Sequence, residues 1–138
     1  TIMKRILYIA MLILMFLSIT PTASTSESTA RFNSVFHTGT SLVISPSGRA
    51  QCEITVALMD KLQEGTITME LCIKEGNGWR EIKSWEEQYD ENDERTLSMS
   101  KTYYVYEEGT YILFGTVDVT TGLGSDYISV ESPRTDYP

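Results

Sequence analysis

Histidine occurs once in these 138 residues and cysteine only twice, so the side chains that most often bind zinc or act as activated nucleophiles are scarce. The single His37 has no serine or cysteine at a motif spacing, and its expected role is an exposed or capping residue. There is no Gly-x-Ser-x-Gly elbow, no His-Glu-x-x-His, no Cys-x-x-Cys and no phosphate-binding loop. These absences argue against an enzyme and against a metal or organic cofactor. Cations are scarce as well: 11 Lys and Arg stand against 19 Asp and Glu, a formal charge of −8. Such a balance repels phosphate backbones and anionic headgroups, which disfavours nucleic acid and membrane surfaces as partners.

Long apolar runs are missing except for one. Ile6 to Leu17 follows Lys4-Arg5 and leads into Ser18-Ile19-Thr20-Pro21-Thr22-Ala23-Ser24. A positive start, a short apolar stretch and small residues at its exit describe a secretory signal peptide, whereas a spanning helix needs about 20 apolar residues. The expected signal is residues 1–24, with Thr1-Ile2 upstream of the start Met3 and cleavage between Ala23 and Ala30. No cysteine sits just after the apolar run, so a lipid anchor is not expected; secretion, or loose association with the cell surface, is. Loss of Lys4 and Arg5 takes the charge from −8 to −10 and leaves about 114 residues, the size of one domain.

What is present is alternation. Residues 25–34 are polar and aperiodic and read as a disordered leader, but from Val35 onward apolar residues recur at every second position. Arg49 to Leu58 turns Ala50, Cys52, Ile54, Val56 and Leu58 to one face. Further strands are expected at 40–45, 66–74, 79–85, 96–105, 109–120 and 126–131. Ser45-Pro46-Ser47-Gly48, Gly76-Asn77-Gly78 and Thr121-Gly122-Leu123-Gly124-Ser125 supply turns. Residues 59–65 read as a polar link with room for one helical turn, residues 86–94 as an acidic loop, and residues 133–138 as a tail. Seven strands spaced about ten residues apart predict an all-β antiparallel sandwich over residues 35–132, with an open barrel as the alternative.

Glu107 and Glu108 are neighbours on an extended chain, so they point to opposite faces and do not converge on one substrate bond. Glu108-Gly109-Thr110-Tyr111 instead resembles the corner of immunoglobulin-like domains. There the tyrosine hydroxyl bonds back to the upstream backbone while its ring fills the core edge, so Gly109 and Tyr111 are read as a structural corner. Leu113 stands where antibody-type domains carry cysteine, which narrows the resemblance to immunoglobulin-like or fibronectin-type-III-like sandwiches in general. Gly48-x-Ala50-x-Cys52, Ile67-Thr68-Met69-x-Leu71, Asn77-Gly78-Trp79, Ile82-x-Ser84-Trp85, Leu97-Ser98-x-Ser100-Lys101-x-Tyr103 and Gly109-x-Tyr111 extend that likeness. In this spacing the chain resembles small uncharacterised proteins exported by Gram-positive gut bacteria; the resemblance implies export and a sandwich fold, and no activity.

Three groups remain as candidate chemistry. Export makes a Cys52–Cys72 disulfide conceivable, but alternation turns Cys52 inward and Cys72 outward. A bridge then requires a bulge in the third strand, or another pairing, to bring the Cα atoms within about 7 Å. Asp90, Asn92 and Glu94 alternate like calcium ligands, yet Arg95 stands where the loop pattern needs glycine, and a solvated acidic hairpin is the favoured reading. Trp79, Trp85, Tyr104 and Tyr106 are expected on an outer face, where rings stack on sugars or anchor a protein. Cross-strand sheet stabilisation is the favoured explanation of such rings. The expected function is a secreted, non-enzymatic binding or interaction module whose partner, an unknown protein or glycan, is not named by the sequence. The alternative is a carbohydrate-binding module or, less favoured, a glycan hydrolase or a secreted effector or inhibitor.

Overall fold

The computed structural model describes Phe32–Pro138, so the expected signal peptide lies outside the described residues, as does the leader before Phe32. Among the described residues there are eight strands and no helix: β1 (Val35–Ile44), β2 (Arg49–Leu58), β3 (Leu62–Glu75), β4 (Gly78–Asn92), β5 (Thr96–Tyr104), β6 (Gly109–Thr121), β7 (Gly124–Glu131) and β8 (Thr135–Tyr137). They form two antiparallel sheets. One has the order β1-β2-β5; the other runs β4-β3-β6-β7, with β8 also paired to β6.

Alternation sorts the side chains. Along β2, Ala50, Cys52, Ile54 and Val56 are fully buried while Arg49, Gln51 and Glu53 are exposed. Ile67, Met69 and Leu71 of β3 and Leu113, Val117 and Val119 of β6 are buried in the same cluster. Each large aliphatic removed from water contributes about 1.5–3 kcal/mol, and that gain holds the register against a one-residue slip. One inward position of β6 is empty by design of the sequence. At Gly115, which pairs with Met69, an added methyl would collide with Ile54 Cδ1 and sit 3.1 Å from both Thr68 O and Val130 Cγ2. Glycine there lets Ile54 of the other sheet fill the gap.

The structure departs from the sequence reading in four places. The expected tail contains β8, which pairs Gly109–Tyr111 and makes the strand count eight rather than seven. The expected link at 59–65 holds no helical turn: Leu62 begins β3 and is fully buried. The expected acidic loop at 86–94 is largely strand, because β4 continues to Asn92 and its Glu86–Asn92 stretch pairs with β3 from Thr68 back to Leu62. Only one long side of that stretch is paired, so its carboxylates stay in water while Tyr89 packs on the core. The leader is ordered at its last residues, where Asp126 accepts backbone hydrogen bonds from Asn33, Ser34 and Val35 at 3.0, 2.7 and 2.8 Å. Composition alone cannot reveal a partner more than ninety residues away.

Cys52 and Cys72 are both buried and free, and no bridge joins them. The β3–β4 ladder does contain a bulge, with Leu71 opposite Lys83 and Cys72 opposite Glu81, but the extra residue is Ile82 on β4 rather than one on β3. Cys72 therefore keeps its outward parity, in a different sheet from Cys52. Burial pushes the Cys52 thiol up to about 12, and burial together with Glu70 and Glu81 pushes Cys72 up to about 11. Both stay protonated at neutral pH and are poor nucleophiles.

Candidate functional site: a tyrosine cleft beside β5

The bulge at Ile82 decides which aromatics meet. On a regular strand Trp79 and Trp85 would share a face, being six residues apart; the extra residue reverses the parity between them. Trp79, opposite outward-facing Lys74, lies on the outer face of the five-stranded sheet. There it meets Phe114 edge-on at 6.1 Å, and the Arg134 guanidinium carbon sits 5.3 Å from its ring centre. Trp85, opposite buried Met69, turns toward the core and meets Tyr103 edge-on at 6.5 Å. The expected row of four exposed rings is thus divided. Trp79 and Trp85 are half-buried packing residues on opposite faces, while Tyr104 and Tyr106 are 53% and 89% exposed.

Tyr104 and Tyr106 are brought together with residues that the sequence had placed elsewhere. Ile82, Tyr103, Tyr104, Val105, Tyr106, Glu107 and Tyr111 line a cleft of about 190 Å³. β5 supplies the tyrosine pair at its end, the β4 bulge supplies Ile82, and β6 supplies Tyr111 two residues after it begins. The Tyr111 hydroxyl donates to the Glu107 carbonyl four residues upstream, which pins the segment between β5 and β6. Burial, and then Glu107, raise the Tyr111 pKa, so the hydroxyl remains a donor. Arg80 donates from Nη2 to Glu107 Oε2 at 2.7 Å and from Nε to Glu75 Oε2 at 2.6 Å. Those bonds raise the Arg80 pKa and hold the Glu107 carboxylate at the cleft's edge.

Three exposed or half-exposed rings, an aliphatic wall and one engaged carboxylate suit recognition of a flat or apolar group. Proton transfer is less well served, because Glu107 is held by Arg80 and no second carboxylate lines the cleft. The bulge at Ile82, though not its approach to the cleft, left a trace in the sequence: apolar residues at 79, 82 and 85 fit no uninterrupted period of two.

Other expected positions lie apart. His37 is exposed on β1 opposite Ala57. The Asn92 amide spans its own turn, accepting from Glu94 N at 2.8 Å and donating to Asp90 O at 3.2 Å. Glu64, Asp90 and Asp118 border a separate groove of about 280 Å³ on the outer face of the five-stranded sheet. Among the described residues no three His, Cys, Asp or Glu side chains converge as metal ligands. Comparison of the chain with protein-family models, with curated proteins and with solved structures finds no match.

Proposed function

We propose that this chain is a secreted, non-enzymatic sandwich module of immunoglobulin-like type that binds a protein partner through the tyrosine cleft. Export rests on Lys4-Arg5 and the apolar run Ile6 to Leu17. The immunoglobulin-like reading is supported by β1-β2-β5 opposite β4-β3-β6-β7, by hairpins within sheets and crossings after β2, β4 and β5, and by the Tyr111 corner. The observation that carries the binding role is the concave grouping of Tyr103, Tyr104 and Tyr106 against Ile82, with Tyr106 almost wholly in water. Tyrosine presents a large, stiff ring at small entropic cost, and an exposed cluster of such rings contributes little to folding.

A second reading, carbohydrate binding, is favoured by the exposed Tyr104 and Tyr106 rings, which can stack on a sugar. Screening the protein on a glycan array and against a displayed random peptide library tests both. The cleft reading expects binding in one screen that falls at least about tenfold in the Tyr104→Ala/Tyr106→Ala double variant. Binding that survives this double substitution unchanged would refute it.

A further inference from the structure

The open side of β5 next to the cleft has its own directionality. Leu58 N donates to Arg95 O at 2.7 Å and Val105 N donates to Gly48 O at 2.8 Å, which fixes the phase of the β2–β5 ladder. In an antiparallel pair, a residue's N–H and C=O point the same way and alternate along the strand. Odd-numbered residues of β5 therefore point these groups at β2, and Ser98, Ser100, Thr102 and Tyr104 point theirs away. The Tyr89 hydroxyl, 3.3 Å from the Ser98 carbonyl on that far side, agrees with this phase. Among the described residues nothing hydrogen-bonds to the outward backbone groups of Ser100, Thr102 and Tyr104, and all three residues are exposed.

Edge strands usually carry charges that discourage pairing. β4 does so with Arg80, Glu81, Lys83, Glu86, Glu87, Asp90 and Glu91. β5 has only Lys101, and that ammonium is held by Glu87 at 2.5 Å. β1 also lacks charge, but its Leu42 carbonyl is taken by Thr135 at 3.2 Å and the tyrosine cleft does not adjoin it.

We infer that the partner recognised at the cleft is an extended peptide segment that adds as a strand to the free edge of β5 at Ser100–Tyr104. The inference rests on the binding role proposed for the cleft and names what fills it. Strand addition supplies main-chain hydrogen bonds, and every second side chain of the peptide then faces the space between the sheets. An aliphatic or aromatic residue fits against Ile82, Tyr103 and Tyr111 there. Glu81, Glu86, Glu87, Asp90 and Glu91 on the adjacent strand outnumber Arg80 and Lys83, so a segment with basic flanks is favoured.

The probe is a random peptide library displayed on phage and selected on the intact protein, followed by synthesis of the enriched sequences. The expected result is enrichment of peptides with alternating apolar residues and basic flanks, whose binding slows amide exchange at Ser100, Thr102 and Tyr104. Thr102→Pro removes an outward N–H while leaving the β2 ladder intact, and should weaken binding at least about tenfold; Thr102→Ala should not. Exchange on the unsubstituted protein decides the matter even where the proline variant misfolds. Peptides that bind without protecting these amides, yet lose binding in Tyr106→Ala, overturn strand addition and leave the cleft role standing. Glycan binding through the cleft with no peptide enriched overturns it as well.

Discussion

Where β1 meets β7 and β8, hydrogen bonds to backbone hold the edge; where β4 meets β5, half-exposed side chains span it. On the first side Asp126 takes three backbone N–H groups, the Ser34 hydroxyl lies 2.8 Å from that of Thr121, and Thr135 donates to the Leu42 carbonyl. On the second side the links are the Lys101–Glu87 ion pair, the edge-on contact of Trp85 with Tyr103, and one long approach of the Tyr89 hydroxyl to the Ser98 carbonyl at 3.3 Å, the same hydroxyl lying 2.9 Å from Glu87 of its own strand. A buried acceptor shared by several backbone donors is expensive to remove, whereas an exposed ion pair contributes little. The sealed edge carries stability. The open one leaves ladder groups and tyrosine rings free for a ligand.

Removing the seal is the most damaging way to break that contrast. Asp126→Ala leaves the N–H groups of Asn33, Ser34 and Val35 without their acceptor, two of those bonds being buried. A loss of about 3 kcal/mol, and a Tm drop of more than about 10 °C, should appear in thermal unfolding. The same carboxylate sets a pH dependence. Burial raises its pKa, but the donors of Asn33, Ser34 and Val35 together outweigh burial and hold it below the ordinary carboxylate value. A native pKa below the unfolded value of about 3.9 means the contribution is complete above about pH 4 and disappears as pH falls through the native pKa. The stability difference between the natural protein and Asp126→Asn should therefore shrink on acidification below about pH 4; a constant difference would remove Asp126 from the account.

Tyr111 sits between the two regimes, as a buried corner residue that also lines the cleft. Tyr111→Phe keeps the ring and deletes the bond to the Glu107 carbonyl, so about 1 kcal/mol of stability should be lost, read as a Tm lower by about 4–8 °C. This corner was legible in the sequence because glycine followed two residues later by tyrosine is a local pattern. β2 and β6 were legible for a similar reason, since Ala50 to Val56 alternates without interruption and Tyr111, Leu113, Gly115, Val117 and Val119 keep one parity. β4 was legible only over 79–85: the charges of its Glu86–Asn92 stretch resemble a loop by composition, and the bulge at Ile82 moves Trp85 inward against simple counting. The site was half legible. Parity put Tyr104 outside, while the approach of Ile82 and Glu107 depends on how two sheets meet. Asp126 was invisible, because its role is defined by donors 91 to 93 residues away.

Across the open edge the effects should be small. Lys101→Met removes the partner of Glu87, whose pKa is lowered by the bonds from Lys101 and then Tyr89. With side-chain exposures of 33% and 36%, the pair should contribute less than about 1 kcal/mol, and the difference should fade in high salt. A loss comparable to that of Asp126→Ala would mean that the β4–β5 side is also a seal.

Tyr106→Ala sharpens the contrast from its other end. A ring that is 89% exposed has little apolar surface to lose from the folded state, so urea or thermal unfolding should shift by no more than about 0.5 kcal/mol. Ligand affinity should nonetheless fall at least about tenfold, because the ring lines the cleft at its most accessible point. Stability and binding separate in this way only if the residue is kept for contact with something outside the chain. A variant that instead unfolds early would place Tyr106 with Tyr111 as a support of the corner, and the open edge would then lose its claim to be a binding surface.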